Sequence, residues 1–171
     1  MEIAKQPRDD APFEIRKAYH ELPNIRKWGP GPWADEPNKE LWKSHGFDCL
    51  INRNHMGAWC GYVGVPKGHP YYGKSYRELE DADIYPDCHG GITYSEFCQG
   101  EICHPTDEHA EPVYWFGFDC AHAWDLVPSM EAFRKYDPTW PKFPGRSEDK
   151  YRDISFVKAE VERLAKQLAE I

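Results

Sequence analysis

Residues 119–125 read Asp-Cys-Ala-His-Ala-Trp-Asp, so carboxylate, thiol, imidazole and indole groups crowd one short stretch. The apolar segment Phe116-Gly117-Phe118 runs straight into them. Strand ends that open into loops are common seats for reactive groups. If the backbone turns helically after Cys120, His122 and Asp125 share a face and can pair. An Asp that orients a His is half of a general-base arrangement. The structural alternative is a hydrogen bond that does no more than tie the loop. Cys120 as a nucleophile needs a lowered pKa, and nothing beside it in sequence supplies one.

A second candidate is His89-Gly90-Gly91-Ile92-Thr93-Tyr94-Ser95. Paired glycines at a strand start let a ligand or another backbone come close. Along an extended strand His89, Thr93 and Ser95 face one way; the alternative is a bulge with solvent-facing polar groups. The two stretches together predict one pocket. Its catalytic candidates are His89, His122 and Asp125, and its ligand-contacting candidates are Thr93, Tyr94 and Trp124. Arg53, Tyr62 and His69 are expected at its rim.

Cysteine and histidine are dense between Cys88 and His122. Zinc needs four such ligands around one point. There is no C-x-x-C, and Cys98-x4-Cys103 with His104 is a weak pattern, so no cofactor is favoured and a zinc site on Cys98, Cys103 and His104 is the alternative. No GxGxxG, P-loop, HExxH or GxSxG occurs, which leaves those enzyme classes without support.

The elements that must position these groups are partly legible. Asp10 to Leu22 suits a short helix ending before Pro23, within an N-terminal extension over 1–25, and 26–171 reads as a single domain. Residues 23–37 read as an ordered loop, with a helical turn from Pro37 through Trp42. Residues 47–54 and 57–65 read as a hairpin with its turn at Asn54-His55-Met56-Gly57, which sets Cys49 near-opposite Cys60 as two buried thiols or, alternatively, a disulfide. A long loop spans 66–87 and can fold over the site. Strands are expected at 89–95 and 113–120, and loop from Asp125 to about 149. Ile154, Val157, Val161, Leu164, Leu168 and Ile171 recur at helical spacing, which marks an amphipathic C-terminal helix packed on the sheet, or alternatively a homodimer seam. The fold class is therefore α+β, with a small, mainly antiparallel sheet and long ordered loops.

The chain has 171 residues and a net charge of −8. The acidic balance argues against duplex nucleic acid, which needs a basic face. It leaves room for a small anionic ligand, which needs one or two cations and some N–H groups. No apolar run approaches the ~20 residues that span a bilayer, and the start shows no signal-peptide core. The expectation is a cytoplasmic protein whose cysteines are mostly thiols. Seven Trp and ten Tyr exceed core needs and could line a pocket.

Several longer stretches carry a resemblance. They are Gly31-Pro32-Trp33 with Glu36-Pro37 and Trp42, Cys49-Leu50-Ile51 with Arg53, and Cys60-Gly61-Tyr62-Val63-Gly64-Val65-Pro66 with Gly68-His69-Pro70. Further along come His89-Gly90-Gly91 with Thr93-Tyr94, Cys98, Ile102-Cys103-His104, Trp115-Phe116-Gly117-Phe118-Asp119-Cys120 with His122 and Asp125, and Tyr151-Arg152-Asp153. With these motifs the chain, over most of 31–171, resembles a widespread family of phage and prophage proteins that brings no assigned activity. Cys88 departs from that pattern, where an aliphatic residue precedes His-Gly-Gly. The resemblance implies a phage-type intracellular setting and one shared site for the loop motifs. Three readings follow. The first is a pocket that sequesters a nucleotide-like small molecule, such as a host-defence signal. The second is a small hydrolase or phosphodiesterase with a His/Asp site, metal-assisted or not. The third is an inhibitor that binds a host protein.

Overall fold

The structure, a computed structural model, describes residues 23–103, 111–136 and 148–171. The expected helix from Asp10 to Leu22 lies outside them. Among the described residues five antiparallel strands form one sheet in the order β1-β2-β3-β5-β4: β1 Lys39–Ser44, β2 Phe47–Arg53, β3 Trp59–Val65, β4 Tyr94–Glu96 and β5 Tyr114–Asp119. The α+β class and the C-terminal helix are as the sequence predicts.

That helix, α4 (Ile154–Ala169), starts at Asp153, whose side chain accepts the Phe156 N–H at 2.8 Å. Its stripe of Val157, Val161, Leu164, Ala165 and Leu168 is fully buried against one face of the sheet, with Cys49, Ile51, Trp59, Val63, Phe116 and Phe118. The stripe is core, and the chain's own sheet takes the surface that a dimer seam would need. Gly61 makes the close approach: a Cβ there would stand 2.5 Å from a Val161 methyl carbon. The other face holds a smaller cluster of Leu50, Cys60, Tyr62, Val113 and Trp115.

Two sequence expectations are corrected by a single cause. Residues 23–28 form helix α1 (Pro23–Trp28), not loop, and 128–136 form helix α3 (Pro128–Tyr136), not loop. A 3-10 turn covers Pro32–Asp35. Each opens on a proline, which has the right φ and no N–H to lose in a first turn. Reading these prolines as breakers hid the helices. Conversely Pro37 opens no helical turn. Residues 39–44 are the edge strand β1, whose Trp42 donates to Glu162 of α4 at 2.6 Å. Asn24 lies in α1 with a fully buried side chain that donates to the carbonyls of Trp33 and Glu36 at 2.9 and 3.1 Å. Asn24 thereby ties α1 to the 3-10 turn and the residue after it.

The β2–β3 hairpin forms, but Arg53 pairs with Trp59 across a loop of Asn54–Ala58, one residue longer than the expected turn. A shift of one residue turns each side chain to the other face. Cys49 consequently faces Val63, Cys60 faces Asn52, and the two thiols lie in different clusters. Both are free and buried. The expected strand 89–95 begins as a turn, with the Gly91 N–H donating to the Cys88 carbonyl at 2.9 Å, and pairs with β5 from Tyr94.

The long segment 66–93 runs beside α4 and includes a short helix, α2 (Tyr76–Leu79), closed by a Ser75–Glu78 capping box. It is tied down in sequence. His69 Nε2 meets the Leu168 carbonyl at 2.7 Å. Asp87 exchanges bonds with Gln167 at 2.8 Å each way and accepts from Arg163 at 2.5 Å. The His89 N–H donates to Glu160 at 2.8 Å. The segment thus descends α4 from its C-terminus and delivers His89 toward the helix's first turns.

Candidate functional site

The turn after β5 carries Asp125. The Asp125 N–H donates to the His122 carbonyl at 2.9 Å, and a backbone bridge to Lys150 holds the turn: Leu126 N–H to Lys150 O at 2.9 Å and Lys150 N–H to Trp124 O at 3.1 Å. Asp125 is 4% exposed, and its two oxygens are divided. Oδ1 accepts from Arg152 Nε at 2.8 Å. Oδ2 meets His89 Nε2 at 2.7 Å, the His122 N–H at 3.0 Å and His122 Nδ1 at 3.3 Å. Burial alone would raise this carboxyl's pKa; hydrogen bonds from Arg152, His89 and the His122 backbone outweigh it and hold the carboxyl below its usual range.

Aromatic rings enclose the imidazoles. His122 stacks on Trp124 with centroids 5.4 Å apart and planes 13° apart. His89 meets the edges of His122 and Phe156, each at 5.2 Å. Arg152 lies over the Phe156 ring at 4.8 Å. Trp124 is 53% exposed. Gly90 permits the packing: at φ 71° it places its backbone so that an added Cβ would sit 2.0 Å from the His122 ring. The group that comes close at Gly90 is the His122 side chain, where the sequence predicted a ligand or another backbone; a Cβ added at Gly91 would find nothing nearer than the Tyr85 hydroxyl at 4.0 Å. Beside the cluster a cleft of about 210 Å³ reaches His122 and Asp125 between Met56, Leu126, Val127 and Met130, with Glu131 and Asp149 also lining it.

The structure brings His89, His122 and Asp125 together and adds Trp124. It places the remaining sequence candidates elsewhere. Tyr62, Thr93 and Tyr94 line a second cleft of about 400 Å³ with Asn54, Cys60, Asp119 and Ala121, and Ala121 also lines the first. The shift of face in β3 explains why Tyr62 lies there: it faces away from α4, packed edge-on to Tyr94 at 5.3 Å. Arg53 is a buried strut, not a rim group. It donates to Glu36 at 3.1 Å, to the Tyr151 hydroxyl at 2.9 Å and to the Gly57 carbonyl at 2.8 Å, and covers the Trp59 ring at 4.2 Å. His69 is spent on Leu168 and on ring contacts with Phe47 and Tyr71.

The metal candidates Cys98 and Cys103 form a disulfide with a Cα separation of 4.7 Å, so they offer no thiolate. The pair is closed by a tight turn in which Gln99 and Ile102 exchange backbone bonds. Spacing alone did not reveal that turn. His104 lies outside the described residues. Cys120 is buried, and burial beside Asp125 pushes its thiol well above the usual range, the opposite of the shift that activates a nucleophile.

Sequence reasoning missed Arg152 and Glu36. Arg152 stands in the Tyr-Arg-Asp start of α4, which propensity reads as a helix entrance. Glu36 Oε2 gathers Trp59 Nε1 at 2.7 Å, Arg53 at 3.1 Å, the Ile154 N–H at 3.1 Å and the Tyr151 hydroxyl at 3.3 Å. It fastens the N-terminus of α4, and with it Arg152, to the sheet. No family model, curated protein or solved structure matches the chain.

Proposed function

We propose that the His89–His122–Asp125–Arg152 cluster is the centre of a small-molecule site that takes a nucleotide-like ligand, a ring joined to an anionic group. One observation carries the reading. A buried carboxylate collects two imidazoles and a guanidinium at a point where the exposed Trp124 ring lies stacked on one of the imidazoles. Trp124 is the platform for the ring. Arg152 is held through Nε, so its two amino groups are not engaged by Asp125, and it is the partner for the anion, as guanidinium groups are for phosphates. In the phage-type setting that the motifs suggest, the ligand would be a nucleotide signal of host defence, and the protein would sequester it.

A second reading, hydrolysis of such a ligand, is favoured by a specific feature: Asp125 orients both imidazoles, as in general-base sites. One experiment separates the two. Purified protein is titrated calorimetrically with cyclic nucleotides and ADP-ribose derivatives, then denatured and the ligand recovered. Sequestration returns the ligand intact and hydrolysis returns products. Trp124→Ala, which changes an exposed ring, should weaken binding with little change in melting temperature. The absence of binding across the panel, or binding indifferent to Trp124→Ala and Arg152→Gln in folded protein, would place any ligand elsewhere.

A further inference from the structure

We infer that the same cluster binds one divalent transition-metal ion of the zinc class, through His89 Nε2, His122 Nδ1 and Asp125 Oδ2. The inference rests on reading this cluster as the functional centre, and it adds the ion that would face the ligand's anionic group.

One donor atom from each of the three residues lies within 4.8 Å of the other two. Zinc bonds of 2.0–2.1 Å in tetrahedral geometry set neighbouring donors roughly 3.3 Å apart. His122 Nδ1 and Asp125 Oδ2 already stand at 3.3 Å. His89 Nε2, at 2.7 Å from Oδ2, has to retreat by roughly 0.6 Å to reach that spacing. The donor set of two imidazoles and one carboxylate suits zinc, iron or cobalt. Calcium and magnesium take oxygen ligands instead.

The surroundings match what holds such ligands in place. Arg152 occupies Oδ1 and so presents Oδ2 as a single-atom ligand. The His89 backbone is fixed by Glu160, and His122 is fixed between Trp124 and Gly90. A ligating carboxylate is usually hydrogen-bonded in turn, as Asp125 is by Arg152. Arg152 is a cation, and it weakens the site. Asp119, with Oδ1 at 3.9 Å from His122 Nδ1, and Glu160 at the His89 N–H oppose that effect. Three protein ligands leave a coordination position open, as in catalytic rather than structural zinc sites. The adjoining cleft at His122 and Asp125 gives that position access to water.

The test uses chelator-stripped full-length protein titrated calorimetrically with zinc chloride, with cobalt(II) as a spectroscopic probe. One zinc per chain is expected, with a higher melting temperature. Asp125→Asn and His122→Gln should each weaken it at least about tenfold, the loss already typical of outer-layer changes. Cobalt should give visible d–d absorption without a thiolate-to-cobalt charge-transfer band. The inference is overturned by no saturable zinc binding, by equal binding in folded His122→Gln protein, or by a thiolate band that assigns the metal to cysteines. If Asp125→Asn does not fold, His122→Gln decides, because that ring is partly exposed and leaves the buried carboxylate in place. The nucleotide panel, run on stripped and on zinc-loaded protein, tests the ligand reading separately. Zinc binding without any nucleotide binding keeps the metal and removes the ligand.

Discussion

Asp125 is the residue on which the site depends, because its two oxygens receive donors from three directions of the chain: the turn before it, the His89 loop and the entrance of α4. Asp125→Asn keeps the shape but removes the charge that compensates Arg152. Breaking a buried pair from one side costs about 3–5 kcal/mol, so urea unfolding of this variant should show a loss of that order. The same carboxylate gives a pH dependence of definite sign. Its folded pKa is depressed, so it contributes stability that is present above the unfolded value of about 3.9 and is lost as pH falls through the lower folded value. The urea midpoint of the wild type should therefore fall in this acid range, and Asp125→Asn should fall less. A residual slope in the variant is expected from Glu162, whose carboxyl hydrogen bonds from Ser44 and Trp42 also hold below its usual range. Gly90→Ala tests the packing beside it. A side chain at φ 71° costs about 1–2 kcal/mol, and the added carbon collides with the His122 ring. A total of about 2 kcal/mol corresponds to a fall of about 4–8 °C in melting temperature for a chain of this size. An unchanged melting curve would show that His122 is not held against Gly90.

At the scale of elements, legibility followed how local the cause was. The stripe of α4 was readable because Val157, Val161, Leu164 and Leu168 carry the helical period themselves, and all four are fully buried. The β2–β3 pair was readable as well, but its register was not. Whether the connection holds four residues or five is decided by the Asn54 side chain, which accepts from the Met56 and Ala58 N–H groups at 3.0 Å. That one residue moved Tyr62 and Cys60 to the far face. Of the site, His122 with Asp125 was visible because a single turn joins them. The approach of His89 follows from long-range ties to α4, and Arg152 enters through Glu36, whose partners are 17 to 118 residues away in sequence. Two substitutions test these supports. Val161→Asp buries an unpaired charge under α4 and should cost about 4 kcal/mol or more in chemical denaturation. Glu36→Gln leaves the guanidinium of Arg53, 3% exposed, without its carboxylate, and should cost about 3–5 kcal/mol. It should also loosen the start of α4, read as faster hydrogen exchange at Ile154, whose N–H loses a charged acceptor. If exchange there is unchanged, Glu36 does not fasten the helix.

For the whole molecule, the two faces of the sheet differ in what they enclose, and the cysteines report on both. Cys49, Cys88 and Cys120 belong to the core under α4 and Cys60 to the opposite cluster, all four as free thiols. Burial, the leading cause for each, pushes the thiols of Cys49, Cys60 and Cys88 up to about 12, and Cys120 higher still. A thiol with a pKa near 12 is ionised to about one part in ten thousand at pH 8, and only the thiolate attacks a disulfide reagent. Native protein should therefore give almost no fast reaction with Ellman's reagent on either face. Denaturation without reductant should release four thiols, and reduction should raise the count to the six cysteines of the chain, since Cys98 and Cys103 are joined. Six thiols before reduction would show that the 98–103 bridge does not form. One fast thiol in the native state would show that one of the two layers opens. Labelling and peptide mapping would then identify it as Cys60 on one face or as Cys49, Cys88 or Cys120 on the other. A fast-reacting Cys120 in particular would mean that the turn carrying His122 and Asp125 leaves the sheet, because the Cys120 N–H is tied to the Trp59 carbonyl at 2.9 Å in the closed structure.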